Sequence, residues 1–416
     1  MDYIRIEEQA AEWGISVRRV QTLCASGKIE GAVRFGRDWM IPKGARRPID
    51  GRTRAGRAEA TDAIEIDMPL PRKTPFLYMS DLYNVPGCAA ESAAKLTYNH
   101  EAHVLFEAEL AYSRGEIDRV YESASYLLNK HSGFYAVLSA GMLLALCAMW
   151  RGDIGMWNKA KRHICEAPAK NDDDRDIMSL SITAVDSMLY DTTSFPEWFK
   201  IGNFEPLHPD ALPAAKVFYA KYLYAAGYAL ATRQIEINGM QGLSFMSMLP
   251  HAIEPMISQA MADRSVIAEI YLRLTCATAY HNSGKEAQAI RHIDRAISLA
   301  LPDGLYGILT EYRRTLGQLM DDRLILADRN AMARVEALYK TFGVGWATLS
   351  GTVRNRTVVT NLTMREREVA KLAAFGMSTT EIAEKLHLSV ASIKQTARNV
   401  IYKSGVENKA ALASIL

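Results

Sequence analysis

From Glu91 to Phe342 apolar residues recur every three or four positions, over about 250 residues, with few alternating stretches. That spacing gathers apolar side chains on one face of a 3.6-residue helical turn, whereas a half-buried strand needs a period of two. A chain that repeats it can bury those faces only by packing helix on helix. The expected fold class is therefore mainly α, with an all-helical domain over residues 91–345.

Two stretches interrupt the pattern. Gly44 to about Pro75 opens with Gly-Ala-Arg-Arg-Pro-Ile-Asp-Gly-Arg-Thr-Arg-Ala-Gly-Arg, a run unsuited to regular structure, and Gly343 to Asn361 collects Gly, Ser, Thr and Asn. The expected organisation is a folded unit at 1–43, a linker and lead-in at 44–90, the helical domain at 91–345, a linker at 346–360 and a last folded unit at 361–416. The formal net charge of +2 conceals an asymmetry: Met1 to Arg57 carries +5, Asn361 to Leu416 carries +3, and the centre carries −6. Basic ends around an acidic centre suit termini that approach phosphates.

The five cysteines are odd in number, widely spaced and without a Cys-x-x-Cys pair, so neither a disulfide framework nor a zinc site is expected. Met-Asp-Tyr at the start lacks a basic-then-apolar signal segment, and a cytoplasmic location is expected. His131 to Trp150 holds no Lys, Arg, Asp or Glu. Its apolar part is short of the ~20 residues a spanning helix needs, and its recurring small residues suit a packed helix, so no membrane is expected as a partner.

Three central segments share a small residue, an aromatic and a glycine: Ala111-Tyr112-Ser-Arg-Gly115, Ala148-Met-Trp150-Arg-Gly152 and Ala279-Tyr280-His-Asn-Ser-Gly284. With Ala287, Ala289 and Ala296 following the last of them, the pattern resembles the tetratricopeptide repeat, in which one helix ends at a turn glycine and the next packs small residues against it. The match is good from Ile267 to Ala300, fair from Val104 to Leu128 and poor from Asp173 to Met261.

Near the carboxyl end, Thr363-Met-Arg-Glu366 and Ser378-Thr-Thr-Glu381 are two capping boxes, each a hydroxyl and a carboxylate placed to satisfy free amides at a helix start. The first helix buries Val369, Leu372 and Ala373 and ends at Phe375-Gly376, and the second buries Ile382, Ala383 and Leu386. Ser389 then caps a third helix whose inward Ile393, Val400 and Ile401 leave Lys394, Gln395 and Arg398 outward. Two short helices and a tight turn that present cations and an amide fit a helix into the major groove, where Lys and Arg meet phosphate or guanine and Gln can bond adenine. The block from Thr363 to Lys394, Thr-Met-Arg-Glu-Arg-Glu-Val-Ala-Lys-Leu-Ala-Ala-Phe-Gly-Met-Ser-Thr-Thr-Glu-Ile-Ala-Glu-Lys-Leu-His-Leu-Ser-Val-Ala-Ser-Ile-Lys, resembles the LuxR-type (GerE-like) DNA-binding domain of four helices. The resemblance implies that Ser392, Lys394, Gln395 and Arg398 face double-stranded DNA, and that a final helix, Asn408 to Leu416, serves packing and dimerisation. Thr396 and Ser404 depart from the pattern, which commonly has His and Leu there.

At the amino end, Ile6 to Trp13 suits a helix with Ala10 and Trp13 inward, Gly14-Ile15-Ser16 a turn and cap, and Val17 to Ala25 a second helix burying Val20, Leu23 and Cys24. Ala32-Val-Arg-Phe-Gly-Arg-Asp-Trp-Met-Ile-Pro42 alternates and turns at Gly36-Arg37, a basic hairpin with Phe35 and Trp39 expected to pack beneath it. A helix-turn-helix with such a wing resembles the winged-helix domain of the excisionase and MerR families. By that resemblance Arg18, Arg19 and Thr22 read the groove while Arg34 and Arg37 hold phosphates.

No phosphate loop, His-Glu-x-x-His or Gly-x-Ser-x-Gly motif occurs, so no enzyme, cofactor or metal is expected. His100 and His103 lie one turn apart but lack a third ligand in sequence. Phe218, Tyr219, Tyr222, Tyr224 and Tyr228 fall at helical spacing and read as helix core sooner than as a binding surface. The reading is a bacterial transcription regulator, acting as a homodimer, with its helical middle taking a small-molecule, peptide or protein effector. The alternative is an excisionase-like architectural or recombination accessory protein.

Overall fold

Gly14 separates the first two helices because it holds φ +63°, a left-handed conformation that costs glycine little. They are α1 (Ile6–Trp13) and α2 (Val17–Ala25), accompanied by strands β1 (Tyr3–Arg5), β2 (Val33–Phe35) and β3 (Asp38–Pro42). These belong to the computed structural model, which describes residues 3–25, 29, 31–36, 38–45, 69–130, 132–233, 236–237, 240–354, 364–374 and 376–404. The chain divides into two units, residues 1–68 and 69–416.

In the first unit the sheet has order β1-β3-β2, with both pairs antiparallel and Phe35 opposite Asp38 across the turn at Gly36. The hairpin matches expectation, and β1 adds to it a third strand that the sequence pattern does not announce. Ile6, Ala10, Val20, Leu23, Cys24, Ile29 and Ile41 form the core, with Trp13 and Trp39 packed at its edge. Phe35 is a correction. It lies beside the turn, beyond the reach of that small core, and is 81% exposed instead of packed beneath the wing.

The second unit opens with residues that pack at once. Phe76, Leu77, Tyr78, Met79 and Tyr83 are buried in the central core, so the lead-in expected before residue 91 is part of the helical domain. Polar contacts tie it down: the Tyr78 amide donates to Glu109 Oε2 at 3.0 Å, and the Tyr83 hydroxyl donates to Asp303. Helices α3 (Ala89–Ala94), α4 (His100–Arg114), α5 (Ile117–Asn129), α6 (Phe134–Arg151), α7 (Ile154–Cys165), α8 (Asp172–Met188) and α9 (Glu197–Lys200) follow. Then come α10 (Leu212–Arg233), a two-stranded hairpin β4 (Glu236–Ile237) and β5 (Met240–Gln241), and α11 (Gly242–Ala262). The domain closes with α12 (Val266–Asn282), α13 (Glu286–Ala300), α14 (Tyr306–Leu316), α15 (Gln318–Ala327) and α16 (Arg329–Arg354).

Gly115 (φ +82°), Gly152 (φ +69°) and Gly284 (φ +72°) follow the ends of α4, α6 and α12, and the next helix packs on the one before in each case. These are the three glycine turns read from the sequence. Helix α6 lies against α4, α5, α7, α8 and α16. By length and mean hydropathy (1.5) it passes for a membrane span, yet 72% of it is buried inside the protein, the burial expected of a core helix.

Helix α16 runs straight through the expected break at 343–354. A Cβ on Gly345 would stand 2.0 Å from the Trp150 carbonyl oxygen. The glycine admits the α6 backbone at close range and breaks nothing, and Trp346 and Leu349 beyond it are buried.

The chain ends, among the described residues, with α17 (Met364–Ala374), α18 (Thr379–Lys385) and α19 (Val390–Ser404). Arg37, the Thr363 cap, Phe375, the Tyr228 side chain and the expected final helix Asn408–Leu416 lie outside the described residues.

Candidate functional site

The last domain is built around an aliphatic centre. Val369, Ala370 and Ala373 of α17, Ile382 and Ala383 of α18, and Ile393 and Val400 of α19 are buried together, with Leu372, Met377, Leu386 and Leu388 packed around them. Caps fix where the helices begin. Ser378 Oγ accepts from the Glu381 amide at 3.2 Å while Glu381 Oε2 accepts from the Ser378 amide at 2.7 Å, the reciprocal pair that the sequence predicts. Ser389 Oγ accepts from the Ser392 amide at 3.1 Å and starts α19. Gly376 (φ +85°) and His387 (φ +52°) make the two tight turns.

With Ile393 and Val400 turned inward, the opposite face of α19 presents Ser392, Lys394, Gln395 and Arg398, all exposed. Positions 394, 395 and 398 form one strip because residues three and four apart stand above one another on a helix. Gln395 Nε2 lies 3.4 Å from Asn399 Oδ1, a long contact that a base edge can replace. The strip is thus two cations and an amide on a rigid support, able to bond phosphate oxygens and base edges.

At the other end of the chain, Arg18, Arg19 and Thr22 of α2 and Arg34 of β2 are exposed. The Thr22 hydroxyl donates to the Arg18 carbonyl at 2.9 Å, which leaves it an acceptor and a methyl group for any partner. Arg34 pairs with Trp39 of β3, with exposed Val33 and Phe35 on either side of it in β2.

Sequence reasoning missed the buried charge of the helical domain. A cavity of about 40 Å3 is lined by Tyr190, Lys221, Tyr224, Glu311, Arg314 and Trp346 among others. Lys221 Nζ lies 3.6 Å from Glu311 Oε2, and Glu311 Oε1 accepts from the hydroxyls of Tyr112 (2.6 Å) and Tyr271 (3.2 Å). Burial pushes the Lys221 pKa down, with Glu311 acting against that shift. The Arg314 guanidinium stacks 3.9 Å from the centroid of Trp346, and its Nη2 donates to the Tyr190 hydroxyl at 2.7 Å. Lys221, Glu311 and Arg314 thus stand together beside a cavity large enough for a few water-sized atoms. The available signal was Lys221 set inside the apolar run from Val217 to Tyr224, a position where a lysine needs a partner.

Of the aromatic run, Phe218 and Tyr224 are buried and Tyr219 and Tyr222 pack edge-on against Phe199, so the core reading holds for these four; Tyr224 also lines the cavity. His100 and His103 do not converge. His100 Nε2 meets the Tyr126 hydroxyl at 3.2 Å and His103 Nδ1 meets the Ala93 carbonyl at 3.0 Å.

Residues 360–416 match the GerE family, described as bacterial regulatory proteins, luxR family. This segment is a LuxR-type helix-turn-helix domain, a kind associated with DNA-binding transcription regulation. No curated protein and no solved structure matches the chain.

Proposed function

We propose that the protein is a sequence-specific, DNA-binding transcription regulator whose α19 enters the major groove. The observation that carries this reading is the exposed strip of Lys394, Gln395 and Arg398 on a capped helix inside a LuxR-type domain. In this role Lys394 and Arg398 hold phosphates or a guanine edge, Gln395 reads adenine, and Ser392 contacts the backbone at the helix start. The amino-terminal unit acts as a second, winged-helix reader, with Arg18, Arg19 and Thr22 at the groove and Arg34 and Arg37 on phosphates. The protein works in the cytoplasm as a homodimer.

Between the readers, the helical domain is a tetratricopeptide-like scaffold that takes the effector. Its cavity offers a small polar effector the charged and aromatic side chains of Lys221, Glu311, Arg314, Tyr190 and Trp346. Binding there changes how α6, α8, α10, α12, α14 and α16, which supply the lining, pack together.

The test is selection of genomic fragments by the intact protein at a stated salt concentration, beside Lys394→Glu and Arg18→Glu. Loss of a different sequence element in each variant supports two readers. Loss in Lys394→Glu alone makes the amino-terminal unit a docking module. If the intact protein enriches no sequence, the regulator reading fails.

A further inference from the structure

Helices α11, α12 and α13 follow one another in the chain and pack in that order, and each contributes one ligand-bearing side chain to a common point. Cys276 Sγ lies 3.8 Å from His292 Nε2, His292 Nε2 lies 4.0 Å from Glu254 Oε1, and the three donor atoms all fall within 4.8 Å of one another. Cys276 is buried, the His292 side chain is 14% exposed, and the Glu254 side chain, at 44%, forms the open side. Tyr280 holds the pieces in register. Its ring stacks on His292 with centroids 5.6 Å apart, and its hydroxyl donates to Glu254 Oε1 at 2.5 Å.

A cysteine, a histidine and a glutamate in one cluster suggest either a nucleophile with its base or a metal site, and the geometry separates the two. A catalytic relay places thiol and carboxylate on opposite ring nitrogens, so that the carboxylate orients the base. Here both approach the same atom, Nε2, while the buried Nδ1 has no hydrogen-bond partner. Convergence of sulfur, imidazole nitrogen and carboxylate oxygen on one point is what a tetrahedral metal requires.

We propose that Glu254, Cys276 and His292 form a Zn2+ site whose fourth position is open to water. Zinc bonds of about 2.3 Å to sulfur and about 2.0–2.2 Å to nitrogen and oxygen set donor–donor edges of roughly 3.3–3.7 Å in a tetrahedron. Cys276–His292 at 3.8 Å exceeds its edge by about 0.2 Å and His292–Glu254 at 4.0 Å by about 0.6 Å, so binding requires the exposed Glu254 side chain to turn toward the other two ligands. A thiolate ligand selects a thiophilic ion over Mg2+ or Ca2+. Zn2+ displaces the Cys276 proton to solvent, and one thiolate with one carboxylate then neutralises the ion. Arg273 beside the site is engaged by Glu269 at 2.7 Å, which limits its repulsion of the metal. Occupied, the site ties α11 and α13 to α12. It was invisible in the sequence because 22 residues separate Glu254 from Cys276 and 16 separate Cys276 from His292.

Titration of the metal-free, full-length protein with Co2+ tests this directly. One equivalent per chain is expected to raise a thiolate-to-cobalt charge-transfer band and visible bands of four-coordinate strength, both removed by one equivalent of Zn2+. Cys276→Ser is expected to abolish the charge-transfer band, Glu254→Gln, on the open side, to weaken Co2+ at least tenfold without altering the fold, and Cys165→Ser, an exposed thiol, to change nothing. No charge-transfer band in the wild type, a band that survives in Cys276→Ser, or full affinity in Glu254→Gln would overturn the site.

Discussion

The LuxR-type domain and the helical domain handle charge in opposite ways. In the former, Lys394 and Arg398 stand in water above an aliphatic centre, where they keep their hydration and stay available to phosphates. In the latter, Lys221, Arg313, Arg314, Glu109, Glu311 and Asp321 are buried among polar partners: Lys221 meets Glu311, Arg313 meets Asp321, Arg314 meets Tyr190 and Glu109 meets the Tyr78 amide. An exposed cation contributes little to stability and can be spent on binding, whereas a buried one is costly to leave unmatched. The exposed charges of α19 therefore add little to the stability of their domain, whereas those of the helical domain serve its packing and its cavity.

Arg313→Ala should produce the largest effect. Its guanidinium meets Asp321 through two bonds, 2.6 and 2.9 Å, and both side chains are largely buried. Removing one partner strands the other, with an expected loss of about 3–5 kcal/mol in urea unfolding. A loss below about 1 kcal/mol would mean that water reaches the pair and that the contrast between the regions is overstated.

Glu109→Gln sharpens the contrast through pH. Glu109 accepts from the Tyr78 amide and the Ser139 hydroxyl, and burial holds its carboxyl well above the usual range. A folded pKa raised above the unfolded value gives stability that is fully present below the unfolded value, near 4.5, and is lost as pH rises through the folded pKa. Gln lacks that loss, so the variant should gain on the wild type as pH climbs from 5 to 8, read as a difference in Tm that widens with pH. A pH-independent difference would place an ionised carboxylate in the fold.

Ser378→Ala probes the reader with the smallest expected change. It removes one half of the capping box on α18, at a cost of about 1 kcal/mol. Because Ser378 is exposed and sits on no charged strip, hydrogen exchange should quicken in α18 while affinity for non-specific DNA stays near the wild-type value.

What could be read from the sequence follows the same division. Ser378 with Glu381, Ser389 with Ser392, and the alternation of Ile393 and Val400 with Lys394 and Arg398 are all determined within a few residues, and the structure places them as read. The glycine turns at 115, 152 and 284 are equally local. The rest depends on long-range packing. Tyr3 finds Pro42, Tyr83 finds Asp303 and Tyr112 finds Glu311, pairings that no local pattern announces. Gly345 shows the limit most plainly, since a glycine that breaks a helix and one that admits a neighbouring backbone look alike in sequence. The exposed Phe35 shows the converse, an apolar residue in the right pattern beyond the edge of a core too small to cover it.

Whether the strip on α19 reads sequence is tested by equilibrium binding of one selected duplex and one scrambled duplex over a series of salt concentrations. For the wild type the account predicts a preference of about a thousandfold or more for the selected duplex. Gln395→Ala should lose roughly tenfold of that preference with the salt slope unchanged, and Lys394→Ala should weaken both duplexes alike and lower the slope by about one. Equal affinity of the wild type for the two duplexes, or an undiminished preference in both variants, would contradict it.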